Sequence, residues 1–96
     1  MSTEVGSLLS STTEIRHGRP CIAGTGISVH RIAILHNLGH GPEEIVRKYE
    51  HLTIAGVHAA LAYYYSNKQE VDSEIAADEE EAESIEKEFL GRQRVA

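Results

Sequence analysis

Apolar and polar positions follow three different rhythms along this chain. Residues 1–12 are rich in Ser and Thr with few large apolar groups, and such a segment buries too little surface to hold one conformation, so a flexible N-terminal arm is expected there. From Thr13 to Val29, Gly18, Pro20, Gly24 and Gly26 alternate with Ile15, Cys21, Ile22, Ile27 and Val29. That density of glycine excludes a helix and predicts short extended pieces joined by tight turns. Thr13–His17 and Pro20–Ile22 are the strand candidates, too short to be stable without a neighbour or a second subunit.

Helical spacing then takes over. Ser28 is a good N-cap, and Val29, Ile32, Ala33 and His36 fall on one face of a helix that Gly39 and Gly41 end. Pro42 suits the first position of a second helix, with Glu43 and Glu44 in the first turn, where the dipole favours acids. Ile45, Val46 and Tyr49 form its apolar side, and it stops near Glu50. The link His51–Leu52 is short, and Thr53 caps a third helix whose stripe is Ile54, Val57, His58, Leu61, Tyr64 and Tyr65. Ser66 or Asn67 breaks it. From Gln69 to Leu90 there is neither Gly nor Pro, and Val71, Ile75, Ala82, Ile85 and Phe89 fall in 4-3-4-3-4 spacing once Asp78 is counted as an interruption. This heptad-like seam predicts a long helix of about 33 Å, further than a small helical core extends, so a partner is expected to cover it.

Composition bounds the class. Ninety-six residues with 41% apolar and 25% charged make one small domain. No apolar run approaches the roughly 18 residues that cross a bilayer, and Met1–Ser11 lack the basic flank and apolar stretch of a secretory signal. A single cysteine closes no internal disulfide. A soluble, cytoplasmic protein without membrane contact is expected. The net charge of −6 is unevenly spread: residues 1–68 carry +1 and residues 69–96 carry −7. Any DNA contact therefore belongs to the front of the chain.

The second helix, its link and the third helix resemble a helix-turn-helix, with Leu52 filling the turn and Ile45, Val46, Val57 and Leu61 packing the pair. Phosphate contacts would come from Arg16, Arg19, Arg31, Arg47 and Lys48, and Thr53 and His58 stand at the start of the third helix. The exposed positions there hold no Arg, Asn or Gln, the usual base readers, and Gly56 weakens the helix. Each basic residue taken singly is more simply a solvated surface charge. Among six histidines, His36 and His40 are four apart, but Gly39 between them breaks the shared face, and Cys21 has no cysteine companion, so no metal site or cofactor is expected. Ala23–Gly26 matches neither glycine-rich nucleotide fingerprint, and Cys21 is expected as a small buried thiol, so the protein is not expected to be an enzyme. The acids of 78–83 are either a solvated face or a surface that steers a basic partner.

The run Gly18-Arg19-Pro20-Cys21-Ile22-Ala23-Gly24-Thr25-Gly26-Ile27-Ser28-Val29 resembles the signature of the family catalogued as domain of unknown function 433, where the pattern is roughly Gly-x-Pro-x-Ile-x-Gly-Thr-Arg-Ile-x-Val. The likeness continues through Leu38-Gly39, Pro42-Glu43-Glu44-Ile45, Leu52-Thr53 and Val57–Tyr64, covering about residues 13–75. It implies a small homeodomain-like, helix-turn-helix domain, preceded by short strands and usually dimeric. Members are regarded as antitoxins of the VapB type, encoded beside a PIN-like nuclease toxin. The resemblance thus implies a front that binds operator DNA and a rear that covers the toxin. Gly26 replaces the Arg often found in the family, so any contact made by that Arg would have to come from elsewhere, with Arg31 as the candidate.

The sequence therefore predicts a mostly α fold: a homeodomain-like helix-turn-helix bundle with a short N-terminal β element and a long C-terminal helix. Residues 1–12 form the arm, 13–66 the β element and core, and 67–96 the acidic helix and tail. A homodimer is expected, in which Ile15 and Ile22 of the strands and Val71, Ile75, Ile85 and Phe89 of the seam meet a partner. The function expected is a non-catalytic, antitoxin-like regulator that binds DNA and sequesters a PIN-like toxin. The alternatives are an interaction adaptor whose helix-turn-helix is only a scaffold and, third, a small hydrolase using Cys21.

Overall fold

The computed structural model describes residues 5–10 and 19–94. Thr13–His17, with Ile15 and Arg16, lies outside the described residues. The chain runs through a 3-10 turn (Val5–Leu8), strands β1 (Leu9–Ser10) and β2 (Cys21–Ile22), and helices α1 (Val29–Asn37), α2 (Pro42–Lys48), α3 (Ile54–Ser66) and α4 (Lys68–Arg94).

β2 finds its neighbours within its own chain. It pairs antiparallel with β1, Leu9 opposite Ile22 and Ser10 opposite Cys21. The Ala23 N–H donates to Leu8 O at 2.8 Å on this edge, while the Ile22 N–H donates to Ile27 O at 2.9 Å on the other. The return from Ile22 to Ile27 needs Gly24 at φ +79, a region that costs an L side chain free energy. Part of the expected arm is thus a strand, because Leu9 packs on the core. The expected role of Ile22 at a subunit interface is also corrected: both edges of β2 are filled internally, and Ile22 is buried in the protomer.

The caps are those the sequence predicts. Ser28 Oγ accepts from the Arg31 N–H at 3.1 Å and Thr53 Oγ1 from the Gly56 N–H at 3.0 Å, each satisfying an otherwise orphaned donor. Pro42 stands in the first turn of α2, and Gly39 leaves α1 at φ +99. α2 stops at Lys48, before the expected Glu50, because Tyr49 is already extended and His51 adopts φ +66. The link to α3 is correspondingly longer, Tyr49–Thr53. Asn67 separates α3 from α4: its N–H donates to Tyr63 O, and its own carbonyl accepts from the Val71 N–H.

Ile22, Val29, Ile32, Ala33, Ile45, Leu52, Val57, Ala60, Tyr64 and Val71 form one core, where a fully buried Val, Ile or Leu contributes about 1.5–3 kcal/mol. α3 lies across it and touches β2, α1, α2 and α4. The single stripe expected on α3 is in fact two faces. Gly56, Val57, Ala60 and Tyr64 face the core, whereas Ile54, His58 and Tyr65 are exposed and Leu61 lies at the boundary. The expected set spanned a wider arc than one contact surface can cover. The seam of α4 divides along its length instead. Val71 is buried in the protomer core, not at a partner interface, because the first turns of α4 dock on it; Ile75 packs at the edge, and Ile85 and Phe89 are each 59% exposed.

Gly56 is small for a reason. A Cβ there would stand 2.8 Å from Ile22 Cγ2 and 3.2 Å from Thr53 Oγ1, while one at Gly91 in α4 would meet nothing within 4 Å. An exposed helical Gly→Ala exchange gains up to about 1 kcal/mol, but overpacking costs about 1–3 kcal/mol. Gly91→Ala is expected to leave the urea midpoint equal or higher, and Gly56→Ala to lower the midpoint, with a net loss of ~1 kcal/mol in unfolding free energy.

Candidate functional site

The basic residues of the front divide by their surroundings. Arg31, on the first turn of α1, and Arg47 and Lys48, in the last turn of α2, are exposed. Arg19 is engaged: its Nη1 donates to Asp78 Oδ2 at 2.6 Å, Nη2 to Asp78 Oδ1 at 3.3 Å, and Nε lies 3.6 Å from Glu74 Oε2. The fork of a guanidinium suits this two-oxygen contact. The hydrogen bonds from Arg19 hold the Asp78 carboxyl below the usual carboxylate range, and the same contact raises Arg19 further. An arginine counted as a phosphate contact is therefore bound to α4. The hydroxyl of Thr53 caps α3, His58 is exposed, and Arg16 lies outside the described residues.

The base of α4 is held from two sides. Beside the Arg19 clamp, buried His30 has Nε2 3.1 Å from Glu74 Oε1; with its proton on Nε2 the ring donates to that carboxylate. His30 Nδ1 is buried without a hydrogen-bond partner among the described residues. Across the helix, the buried Tyr64 hydroxyl donates to Asp72 Oδ1 at 2.6 Å and accepts from Asn37 Nδ2 at 3.0 Å. Lys68 reaches Asp72 Oδ2 at 2.7 Å and lies 5.6 Å over the Tyr64 ring. Lys68 first, and Tyr64 second, keep the Asp72 carboxyl below its ordinary range. Apart from Lys68 and Asp72, four residues apart on one helix, none of these contacts is visible in sequence spacing. Only the large polar Tyr64 among the alanines of α3 hints at one.

α2 and α3 open a groove of about 310 Å³ lined by Gly41, Pro42, Glu43, Ile54 and His58. A smaller one of about 180 Å³ lies between α1 and α4, beside Ile34, Leu38, Asp72, Ile75 and Glu79. α3 carries no Asp, Glu, Lys or Arg from end to end, so neither its exposed face nor the groove with its Glu43 rim supplies a Lys or Arg for a phosphate or a base. Cys21 is a buried free thiol, its Sγ 3.8 Å from Arg19 O. His36 Nε2 meets the Tyr65 hydroxyl at 2.6 Å and His40 Nδ1 meets Glu44 Oε2 at 2.9 Å, so the two histidines have separate partners. The bond from His40 lowers the Glu44 carboxyl. No helix among the described residues is long and apolar enough to cross a membrane.

A family model described as "Protein of unknown function (DUF433)" matches residues 9–64, from β1 to Tyr64 of α3. The match begins earlier than the motifs suggest and leaves α4 outside it. A crystal structure of a DUF433 member protein from Anabaena variabilis ATCC 29413 is similar at a TM-score of 0.68 and 28% identity, over 73% of this chain and 69% of that one. No curated protein matches.

Tyr64→Phe strips Asn37 and Asp72 of a buried partner and is expected to cost about 1–3 kcal/mol in urea unfolding. The Asp78 contact has a defined pH signature. A carboxyl lowered in the folded state stabilises above its unfolded value of about 3.9, and that contribution disappears as pH falls through the lower folded value. Asp78→Asn is expected to lower the urea midpoint at about pH 6 and to flatten its further fall toward about pH 3.

Proposed function

The chain belongs to the DUF433 family, proteins of unknown function, and on that premise we propose that it is a non-catalytic, antitoxin-like regulator that acts as a dimer. One surface contacts DNA, and another sequesters a basic protein such as a PIN-like nuclease. The observation that carries this proposal is the division of charge between two separate elements. The exposed cations Arg31, Arg47 and Lys48 lie on α1 and α2, while α4, beyond the family match, projects Glu79–Glu81, Glu83 and Glu86 around uncovered Ile85 and Phe89. Acids flanking an apolar stripe favour approach by a cationic surface and give it an apolar seat. On DNA, α1 and the end of α2 contribute phosphate contacts in the manner of a homeodomain-like helix-turn-helix, and Arg19 joins them only when its clamp to Asp78 opens.

A second reading, an adaptor in which α2 and α3 are only a scaffold, is favoured by the lack of Lys and Arg on α3 and by Glu43 at the groove. The two separate by salt dependence. Phosphate contacts release counterions, so affinity for duplex DNA falls with salt in proportion to their number. Fluorescence anisotropy with the DNA upstream of the coding region, beside a scrambled duplex, is expected to show binding that weakens steeply with salt. Arg31→Ala with Arg47→Ala and Lys48→Ala is expected to weaken it and to flatten the salt slope by about three phosphate contacts. No binding at low salt would leave the adaptor.

A further inference from the structure

We infer that the outer face of α3 is the surface on which a second copy of this chain packs, the two α3 helices lying antiparallel across a two-fold axis. This deepens only the dimeric part of the proposal above and does not rest on DNA or on a nuclease. The inner face of α3 is filled by the protomer. On the outer face Ile54 is 42% and Tyr65 56% exposed, His58 is exposed, and Leu61 is half-buried, with exposed Ala55 and Ala62 alongside. A helix that is apolar on all sides is normally covered on all sides. Exposing such a face on one side leaves apolar area in water.

Spacing and charge indicate what covers it. Ile54, His58, Leu61 and Tyr65 are separated by four, three and four residues, the stagger that keeps side chains on one seam. That series reads the same in both directions. Two copies laid antiparallel therefore oppose Ile54 with Tyr65 and His58 with Leu61, twice, as an isologous interface requires. Small Ala55 and Ala62 let the backbones approach. The groove lined by Gly41, Pro42, Ile54 and His58 opens at one end of the seam. At the other stands the Tyr65 ring, held edge-on by His36 with centroids 5.6 Å apart, so each copy offers a hollow where the other offers an aromatic ring. Having no Asp, Glu, Lys or Arg, α3 sets no pair of like carboxylates, ammoniums or guanidiniums against each other. α4 would: residues 69–96 carry −7, and pairing them with their own copy is opposed by repulsion. Of the two uncovered faces, α3 is the one that two copies can share.

Sedimentation of the full chain tests this, with circular dichroism and the urea midpoint confirming that each variant folds. Wild-type protein is expected to be a dimer at tens of micromolar. His58→Glu, an exchange at an exposed polar position, places like charges near the two-fold axis and is expected to weaken the dimer at least tenfold. Ile85→Glu with Phe89→Glu is expected to leave it unchanged. When chains carrying Ile54→Cys and Tyr65→Cys are mixed and oxidised, the mixed disulfide is expected to dominate over either homodisulfide. A wild-type monomer at these concentrations would overturn the dimer altogether. A dimer that survives His58→Glu, or that the α4 pair abolishes, would overturn this interface while leaving dimerisation intact. Dominant homodisulfides would overturn the antiparallel register.

Discussion

Ile22 lies so close beneath the first turn of α3 that a Cβ at position 56 would stand 2.8 Å from its Cγ2 methyl. Most of the domain follows from that approach. A two-residue strand has almost no stability of its own, yet here it is fixed by β1 on one edge, by Ile27 and the start of α1 on the other, and by α3 above. α3 in turn cannot roll or slide without driving Ile22 into a side chain or opening a void. Its orientation decides which residues face the core and which face water. The groove beside Ile54 and His58, the exposure of Tyr65 and the direction in which α4 departs after Asn67 are consequences of a glycine where an alanine would favour the helix.

That dependence explains what could and could not be read in the sequence. Ser28, Gly39, Pro42 and Thr53 mark helix ends through hydrogen bonds and dihedrals within four residues of themselves, so each was legible. The partner of β2 was not, because two residues carry no periodicity and Leu9 sits in a Ser-rich stretch that resembles an arm. On α3, the two apolar faces merged into one stripe because apolar residues recur almost everywhere, and only packing against β2, α1 and α2 separates them. Arg19 and Asp78 lie 59 positions apart, and no local pattern announces such a pair. Of the candidate site, the residue types were legible and their partners were not.

The same contact changes how the charge of this chain is understood. Counted along the sequence, Arg19 belongs to the front and Asp78 to the acidic rear; in three dimensions they neutralise one another at the base of α4. The acids Glu79–Glu81 and Glu83 lie farther along the helix, where apolar cover also ends. The uncovered stripe and these exposed acids therefore coincide. A solvated helix needs acids but no apolar stripe, and a self-associating one needs the stripe but fewer acids. Having both on one segment favours a partner that is apolar and cationic together.

α3 poses the opposite case, an uncovered face without Asp, Glu, Lys or Arg. Desolvating Ile54, Leu61 and Tyr65 removes apolar area from water at about 25 cal/mol per Å², and no ion loses its hydration shell in the process. Such a face gains from any apolar surface of matching shape, so charge does little to select its partner and geometry must. The 4-3-4 seam supplies that geometry from within a single chain, since its mirror in sequence order is itself. Two surfaces of one small protein thus differ in what they offer: α4 presents acids beside an apolar stripe, and α3 an apolar seam whose spacing is its own mirror.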